Sequence, residues 1–375
     1  MKENDLWKQL SKKINTIVIV VSIIVAICAI VFTRLNSSFY HIPLGEVTKI
    51  ESHHQEKSVD EQHNQDVKYK DVLQVKLLNT KQQGDTLHVE HRYNASKTEE
   101  QAYQPGDKVL LHKGKNQKDT YIIEKKRDTV LVTVISAFFI ALLIVGQRIG
   151  LQSILSLVIN ALAILLAISL YHAYPQLNLF LLMSLAVMIA TILTLWLVIG
   201  WSMRTIVTIV STLLGTFICI FIAWSVIGLT HGQGIKYETM SFLTIQPRTV
   251  FLTSVMVGTL GAVMDVAITI SSGMYEVLQR SPHISMQRWV LAGRNIGRDI
   301  MGTMTNILLF SYLAGSLPML LLYLKNGNTL TYSISMNWSL EISRAITGGI
   351  GIVLTIPLTI FLMRIWLSLR GGATR

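Results

Sequence analysis

The sequence predicts an α-helical, multi-pass membrane protein that carries a small extracytoplasmic β domain. Its 375 residues have a mean hydropathy of +0.46, and only 15% of them are charged, whereas soluble domains carry about 25% charged residues. Eight apolar runs are each long enough to cross a bilayer, which takes about 20 residues. One polar segment with strand-like patterning separates the first run from the other seven.

The first apolar run, at 14–32, contains no charged residue and follows a tail, 1–13, that carries four lysines. A cleavable secretory signal has a shorter apolar region and ends in a small-residue cleavage site, and the residues after this run, TRLNSSF, offer no such site. We therefore expect an uncleaved anchor helix with its N-terminus in the cytoplasm.

Residues 33–128 have the composition of a soluble β domain. Five segments alternate apolar and polar residues or are rich in Val, Ile and Tyr, which is typical of strands: GEVTKIE, DVLQVKLL, DTLHVEHRY, DKVLLHK and DTYIIEKK. Gly and Asp separate them, and TKQQGD predicts a hairpin between the second and the third. Five short strands fit a small barrel, of which the OB type is one form.

The charge of this β domain argues against a nucleic-acid partner. OB-type barrels often bind nucleic acids, but this segment has no aromatic residues interleaved with a basic stripe. Its 16 basic and 15 acidic residues nearly cancel. We expect a structural role or an extracytoplasmic protein partner.

Three histidines, His53, His54 and His63, lie among acidic residues in the segment ESHHQEKSVDEQHNQD. Their spacing is irregular and the segment is polar, which favours a solvated, mobile loop over a metal site. The two cysteines lie in apolar runs and can build neither a zinc site nor a disulfide framework. We expect no metal and no cofactor.

The remaining chain predicts a seven-helix membrane bundle over 129–366, with a cytoplasmic connector at 273–301 and a cytoplasmic tail at 367–375. Linkers such as QRIG and SMR are so short that the helices they join must be antiparallel neighbours. The predicted spans are 129–146, 151–171, 177–200, 205–229, 249–272, 302–324 and 345–366.

Positive charge orients these spans. With the N-terminus inside, the cytoplasmic segments carry 13 basic residues and the short outer loops carry four, which are Lys236, Arg248, Lys325 and Arg344. Basic residues concentrate on the cytoplasmic side of membrane proteins. The sequence therefore predicts an N-in, C-in topology in the cell membrane, with the β domain outside the cytoplasm.

Asp265 is the residue in the spans that most invites a functional explanation. It is the only ionisable group in the 22-residue run 251–272, and a carboxylate at a helix centre costs about 2.5 to 3.5 kcal/mol to insert. Thr269 lies four residues further on, on the same face, and could donate to the carboxylate. The alternatives are a proton or ion site and a hydrogen bond that joins two helices.

Two intramembrane amides, Asn160 and Asn306, are candidate partners of Asp265 or candidate lining of a path, and Thr303 lies beside the second. Asn residues in membrane helices also serve as plain helix–helix contacts. Gly315 and Pro318 follow in the same span as Asn306, and the proline predicts a kinked or broken helix of the kind that marks binding sites in transporters.

The connector contains Arg288, Arg294 and Arg298 between apolar residues. This pattern predicts a helix in the inner membrane interface with its arginines near anionic lipid headgroups. The alternative is that Glu276 and Asp299 pair with these arginines.

Two fragments of the second half resemble a known family. GTLGAVMD, and AGRNIGRDIMGTMTN with SLP shortly downstream, are similar to signatures of the YibE/F family of multi-pass membrane proteins, and the resemblance extends from about Thr129 to the C-terminus. It implies a membrane bundle preceded by an anchor helix and an extracytoplasmic β domain. It implies little about mechanism.

No enzymatic motif such as HExxH or GxSxG is present, so we expect no enzyme. The first hypothesis is a transporter or a proton- or ion-coupled permease that uses Asp265. The second is an assembly or signalling protein whose outer β domain docks a partner. The sequence does not indicate the substrate or the oligomeric state.

Overall fold

The computed structural model describes residues 2–59, 63, 65–80, 82–96, 100–112, 114, 120–237 and 245–369, with the backbone alone for residues 2–15. Within these residues the chain forms seven α-helices and one five-stranded sheet. It divides into two compact units, Met1–Leu151 and Gln152–Arg375.

The first unit begins with helix α1, Lys2–Leu35, and one 3₁₀ turn, Asn36–Phe39. The β domain that follows is tied to this turn through Asp128. The carboxylate of Asp128 accepts hydrogen bonds from the Asn36 amide at 3.1 Å, the Tyr40 hydroxyl at 3.1 Å and the Lys126 ammonium at 2.7 Å. The two ends of the β domain are therefore fastened together.

All five predicted strands are present as one antiparallel sheet in the order β3-β2-β1-β4-β5. The strands are β1 Leu44–Val59, β2 Gln65–Leu77, β3 Thr86–Asn94, β4 Lys108–His112 and β5 Tyr121–Lys125. The predicted hairpin joins β2 to β3. Successive side chains of a strand point to opposite faces of the sheet, and those on the inner face form the core: Val47, Leu73, Val75, Leu77, Val89, Val109 and Leu111.

The predicted barrel is not closed. Closure would pair the two outer strands, β3 and β5, and no backbone pairing joins them within the described residues. Strand β4 pairs with only the first three residues of the long β1, Leu44–Glu46. The outer strands β3 and β5 approach each other without pairing, and a pocket lined by both lies between them.

The histidine segment is a β-ribbon and not the predicted loop. His53 and His54 lie in β1, which pairs with β2 out to Val59 and Gln65. The backbone hydrogen bonds of a ribbon do not require apolar side chains. The loop prediction, which used polar composition alone, was therefore wrong. His63 lies beyond the paired residues, and part of the segment (residues 60–62 and 64) falls outside the described residues.

The membrane helices are α2 Asp128–Ala173, α3 Leu179–Ile199, α4 Met203–Leu229, α5 Pro247–Arg280, α6 Met286–Lys325 and α7 Leu330–Leu369. With α1, seven helices of the described chain are long and apolar enough to cross a membrane. The described chain thus has one apolar helix fewer than the eight predicted spans.

The difference lies in α2, which contains two of the predicted spans. Its 46 residues would measure about 69 Å as a straight helix, more than twice the apolar thickness of a bilayer. The backbone leaves the helical region at Gln147, inside the linker QRIG. A side chain at Gly150 would collide with the Leu142 carbonyl, so α2 consists of two helices joined at a sharp kink.

The helices of the second half also extend beyond the predicted spans. Helix α5 continues eight residues past Ser272 to Arg280, and α7 begins at Leu330. Helix α6 contains both the second half of the predicted connector and the predicted span 302–324. Hydropathy detects only the apolar part of a helix, and these helices have polar ends.

Small residues let the helices of the second unit approach closely. Gly215 of α4 faces Thr355 of α7 and lies near Val263 of α5, and Gly351 of α7 would place a side chain 3.1 Å from the Cys219 sulfur. These contacts fix the helix directions: α3, α5 and α7 run one way and α4 and α6 the other. Close approach through glycine is a usual way to pack helices in lipid.

Candidate functional site

Asp265 lies on the open face of α5. One side of this helix is packed against its neighbours, whereas Asp265 shares an exposed stripe at helical spacing with Gly258, Gly261 and Thr269. The Asp265 carboxylate has no hydrogen bond and no ion pair within the part of the chain that the structure describes. It is therefore free to bind a proton, a cation or a polar solute.

Helix α6 brings a second polar group to the level of Asp265. Gly258 of α5 lies against the Tyr312 hydroxyl of α6, and a side chain at Gly273 would lie 2.7 Å from Ile296. The two helices are thus antiparallel, and interpolation between these contacts places Asp265 level with Met304 and Thr305, next to Asn306. Asn306 is exposed and makes no hydrogen bond to another described residue.

The two threonines of the predicted site serve their own helices. The Thr269 hydroxyl donates to the Asp265 backbone carbonyl at 2.8 Å. The expected hydrogen bond from Thr269 to the Asp265 carboxylate is therefore not formed. The Thr303 hydroxyl donates to the Ile300 carbonyl at 2.9 Å. Each hydroxyl donates within its own helix, and each lies on the same face of that helix as the nearby candidate group, Asp265 for Thr269 and Asn306 for Thr303.

Asn160 belongs to a different contact. Its side-chain oxygen accepts a hydrogen bond from the Thr194 hydroxyl at 2.9 Å, and that hydroxyl accepts one from Ser156 at 3.0 Å. This chain joins the second half of α2 to α3. Asn160 is therefore a helix–helix contact in the structure, which was the alternative to a role in lining a path.

The helix break expected at Gly315 and Pro318 is absent, because α6 continues through both residues to Lys325. A proline removes one backbone hydrogen bond from a helix, and the neighbouring turns of this 40-residue helix continue without it. The predicted binding feature of a discontinuous helix is thus not found in α6.

The connector arginines lie on the first turns of α6. Arg288, Arg294 and Arg298 are exposed, whereas Trp289 is fully buried and donates from its indole N–H to the Met274 carbonyl at 2.7 Å. The connector is therefore anchored to α5 by the tryptophan and not laid down as a separate interfacial helix. Glu276, the suggested partner of these arginines, pairs with Arg280 at 2.5 Å.

Comparison with known proteins gives two matches that together cover most of the chain. Residues 134–369 match the YibE/F-like protein family, and residues 38–125 match the YibE/F family N-terminal domain. The chain belongs to the YibE/F family. No curated protein and no solved structure matches it. In this YibE/F chain, the Asp265 stripe lies inside the first of the two matched regions.

An ion pair that the sequence analysis missed lies in the first half of α7. Arg344 and Glu341 are 2.7 Å apart and both are more than four-fifths buried, and the Arg344 guanidinium lies over the Phe251 ring at 5.8 Å. Both residues precede the predicted span 345–366. Their i, i+3 spacing directly before an apolar run was the signal that could have indicated them.

The β domain of the YibE/F chain contains a buried carboxylate that the sequence analysis also missed. Asp71 is only 2% exposed, and its Oδ1 lies 2.6 Å from His53 Nδ1. Burial, then the charge of Asp71 and a hydrogen bond to its carboxylate, raise the pKa of Tyr93 above its usual value. Asp71, Leu73 and Val75 lie two residues apart along β2, so all three point to the buried face. This spacing was the signal that could have indicated a buried aspartate.

Replacing Asp71 with alanine is expected to destabilise the β domain by about 2 kcal/mol, because the His53 and Tyr93 donors lose a charged, buried acceptor. Hydrogen exchange of the β2 and β3 amides, followed by mass spectrometry on the full chain, measures this change. The matched control is Asp85→Ala, whose side chain is exposed. Equal exchange in the two variants would contradict the structural role of Asp71.

Proposed function

We propose that this YibE/F chain is a permease of the cell membrane, with N-in, C-in topology, that couples solute movement to a proton or cation at Asp265. The observation that supports it is the unpaired, exposed Asp265 carboxylate at the level of the exposed Asn306 amide on the neighbouring antiparallel helix. The proposal assigns no enzymatic reaction and no cofactor to the chain.

The cost of exposing these two groups to lipid supports the proposal. An aspartate at a helix centre costs about 2.5 to 3.5 kcal/mol to insert, and such residues face water or other polar groups and usually have a function. Asn306 adds an unpaired amide at the same level. Water or a polar solute between α5 and α6 would satisfy both groups, and the space beside Gly261 is open.

The test is proton flux in proteoliposomes that contain an internal pH dye, under an imposed gradient, with small ions and amino acids added one at a time. Solute-dependent acidification or alkalinisation identifies a coupled carrier and the chemical class of its substrate. If no solute from a broad panel changes the internal pH, the permease proposal fails and the role of the β domain becomes the leading explanation.

The second proposed function is docking of an extracytoplasmic protein on the β domain. Strand β5 is at the edge of the sheet and pairs on one side only within the described residues, and it exposes Tyr121 and Ile123 at 54% and 49%. An open edge strand with apolar side chains is a template for strand addition. Such docking does not require Asp265.

A photo-crosslinking amino acid at Ile123 is expected to capture a partner in native membranes, and Ile123→Lys is expected to abolish its copurification, because a charge on the edge opposes strand pairing. The matched control places the crosslinker at Val59, which is 61% exposed at the end of the long ribbon. Equal labelling from both positions would contradict docking at β5.

A further inference from the structure

A cavity of about 550 Å³ lies at the end of the second unit where α3 and α5 begin and α4 ends. Polar side chains line its rim, namely Asn178, Gln246, Arg248 and Thr249, and the remainder is lined by aromatic side chains of α3 and α4 together with Ile220 and Leu252. No carboxylate lines the cavity among the described residues. Its polar groups are therefore all neutral or positive, which favours a negative ligand.

Arg248 carries the positive charge of this cavity. Its Nη2 donates to the Trp224 carbonyl at 2.7 Å, and the guanidinium lies 5.4 Å from the centre of the Trp224 ring. The Nε atom is buried and has no hydrogen-bond acceptor within the described residues, and no ion pair to Arg248 is present among them. A buried N–H without an acceptor is unfavourable, and an anion in the cavity would supply the missing acceptor.

The other rim residues add donors around the same space. The Asn178 side-chain oxygen caps α3 by accepting from the Leu181 amide at 3.3 Å, so its NH₂ group remains available. The side chains of Gln246 and Thr249 make no hydrogen bond to another described residue. Three neutral donors beside one guanidinium match the acceptor oxygens of a phosphate group.

The cavity wall continues as an aromatic surface along α4. Phe221 and Trp224 are 63% and 52% exposed, and Phe217 lies about 10 Å further along the helix from Trp224. The polar rim is thus at the helix ends, near the membrane surface, and the aromatic wall extends into the apolar layer. A ligand with an anionic head and an acyl chain fits both parts.

We propose that this cavity binds an anionic phospholipid, with the headgroup phosphate on Arg248 and one acyl chain along Phe217 and Phe221. The site is separate from Asp265, which lies more than four turns further along α5. The inference therefore goes beyond the proposed permease function and does not depend on it.

The experiment uses the full-length protein in phosphatidylcholine vesicles that contain increasing fractions of lipid with brominated acyl chains. Bromine quenches tryptophan fluorescence on contact, and the signal of Trp224 is the difference between wild type and Trp224→Phe. We expect brominated phosphatidylglycerol to quench Trp224 at about one-tenth of the fraction that brominated phosphatidylcholine needs, which corresponds to about 1.4 kcal/mol.

Arg248→Gln is expected to remove this tenfold preference, and Arg248→Lys to retain most of it, because the charge remains. The matched control is Lys325→Gln, an exposed cation at the same end of the bundle that does not line the cavity. Asp265→Asn must also leave the preference unchanged. Phe217→Ala is expected to weaken quenching by both brominated lipids, because the acyl chain loses its contact with the Phe217 ring.

Three outcomes would overturn the proposal. They are equal quenching of wild-type Trp224 by the two lipids, an unchanged preference in Arg248→Gln, and an equal loss of preference in Lys325→Gln, which would indicate surface charge alone. A further experiment adds millimolar inorganic phosphate. If phosphate abolishes the preference for phosphatidylglycerol, the cavity binds a free anion and not a lipid. If Arg248→Gln does not fold, Gln246→Ala and Thr249→Val replace it, with a smaller expected loss.

Discussion

Asp265→Asn is expected to lower solute-coupled proton flux by about a hundredfold or more, the usual effect of removing a proton-transfer group. Asparagine has nearly the size and shape of aspartate, but it neither binds an exchangeable proton nor carries a negative charge. The initial rate of internal pH change in proteoliposomes, at matched protein content, measures the effect.

Asp299→Asn is the matched control for this variant. Asp299 is an exposed acid near the start of α6, and its replacement is expected to leave the flux within about twofold of wild type, because exposed substitutions rarely perturb the structure. A full rate in Asp265→Asn would contradict the permease proposal. Loss of flux together with loss of the folded protein would assign Asp265 a structural role instead.

Asn306→Ala separates these two roles further. If the Asn306 amide acts on the same solute as Asp265, its loss weakens coupled flux, and the double variant with Asp265→Asn is no worse than Asp265→Asn alone. Independent, multiplying losses would indicate that the two side chains act separately, although they lie at the same level of adjacent helices.

Trp289→Ala is expected to produce the largest loss of stability, about 3 to 5 kcal/mol, because it empties a fully buried indole site. Trp289 is 0% exposed, packs in a cluster with Met274, Met363 and Trp366, and donates to the Met274 carbonyl at 2.7 Å. The alanine variant loses the packing and leaves that carbonyl without the tryptophan donor.

Unfolding in mixed micelles of increasing denaturing detergent, followed by loss of helix circular dichroism, measures this change. The matched control is Trp201→Ala, since the Trp201 side chain is 80% exposed and its removal creates no cavity. A Trp289→Ala transition that coincides with the Trp201→Ala transition would show that the connector is not anchored through Trp289.

Several features of the YibE/F chain could be predicted because they depend on local patterns. The apolar runs located every membrane helix, since a bilayer requires about 20 consecutive apolar residues. Period-2 alternation located all five strands, since successive side chains of a strand point to opposite faces. Asp265 was singled out because a charge inside an apolar run is visible without any structure.

Other features depend on how distant segments meet, which local patterns do not encode. The helix ends at Arg280 and Leu330 are polar and lie outside the apolar runs, so hydropathy did not detect them. The sheet stays open because β4 pairs with only three residues of β1, a register that no single strand reveals. The sequence predicted a linker at QRIG, where α2 is kinked, but it did not predict the backbone conformation of Gln147.

By itself the sequence determined the fold class, the strand segments and the intramembrane carboxylate, because bilayer thickness and strand geometry act on neighbouring residues. Only the tertiary structure decided the partners: Asn306 at the level of Asp265, Asn160 bonded to Thr194, Trp289 anchored on Met274, and Arg248 over Trp224. Each of these placements relates residues on different helices, and it depends on helix direction, rotation and register, which the packing of small residues sets.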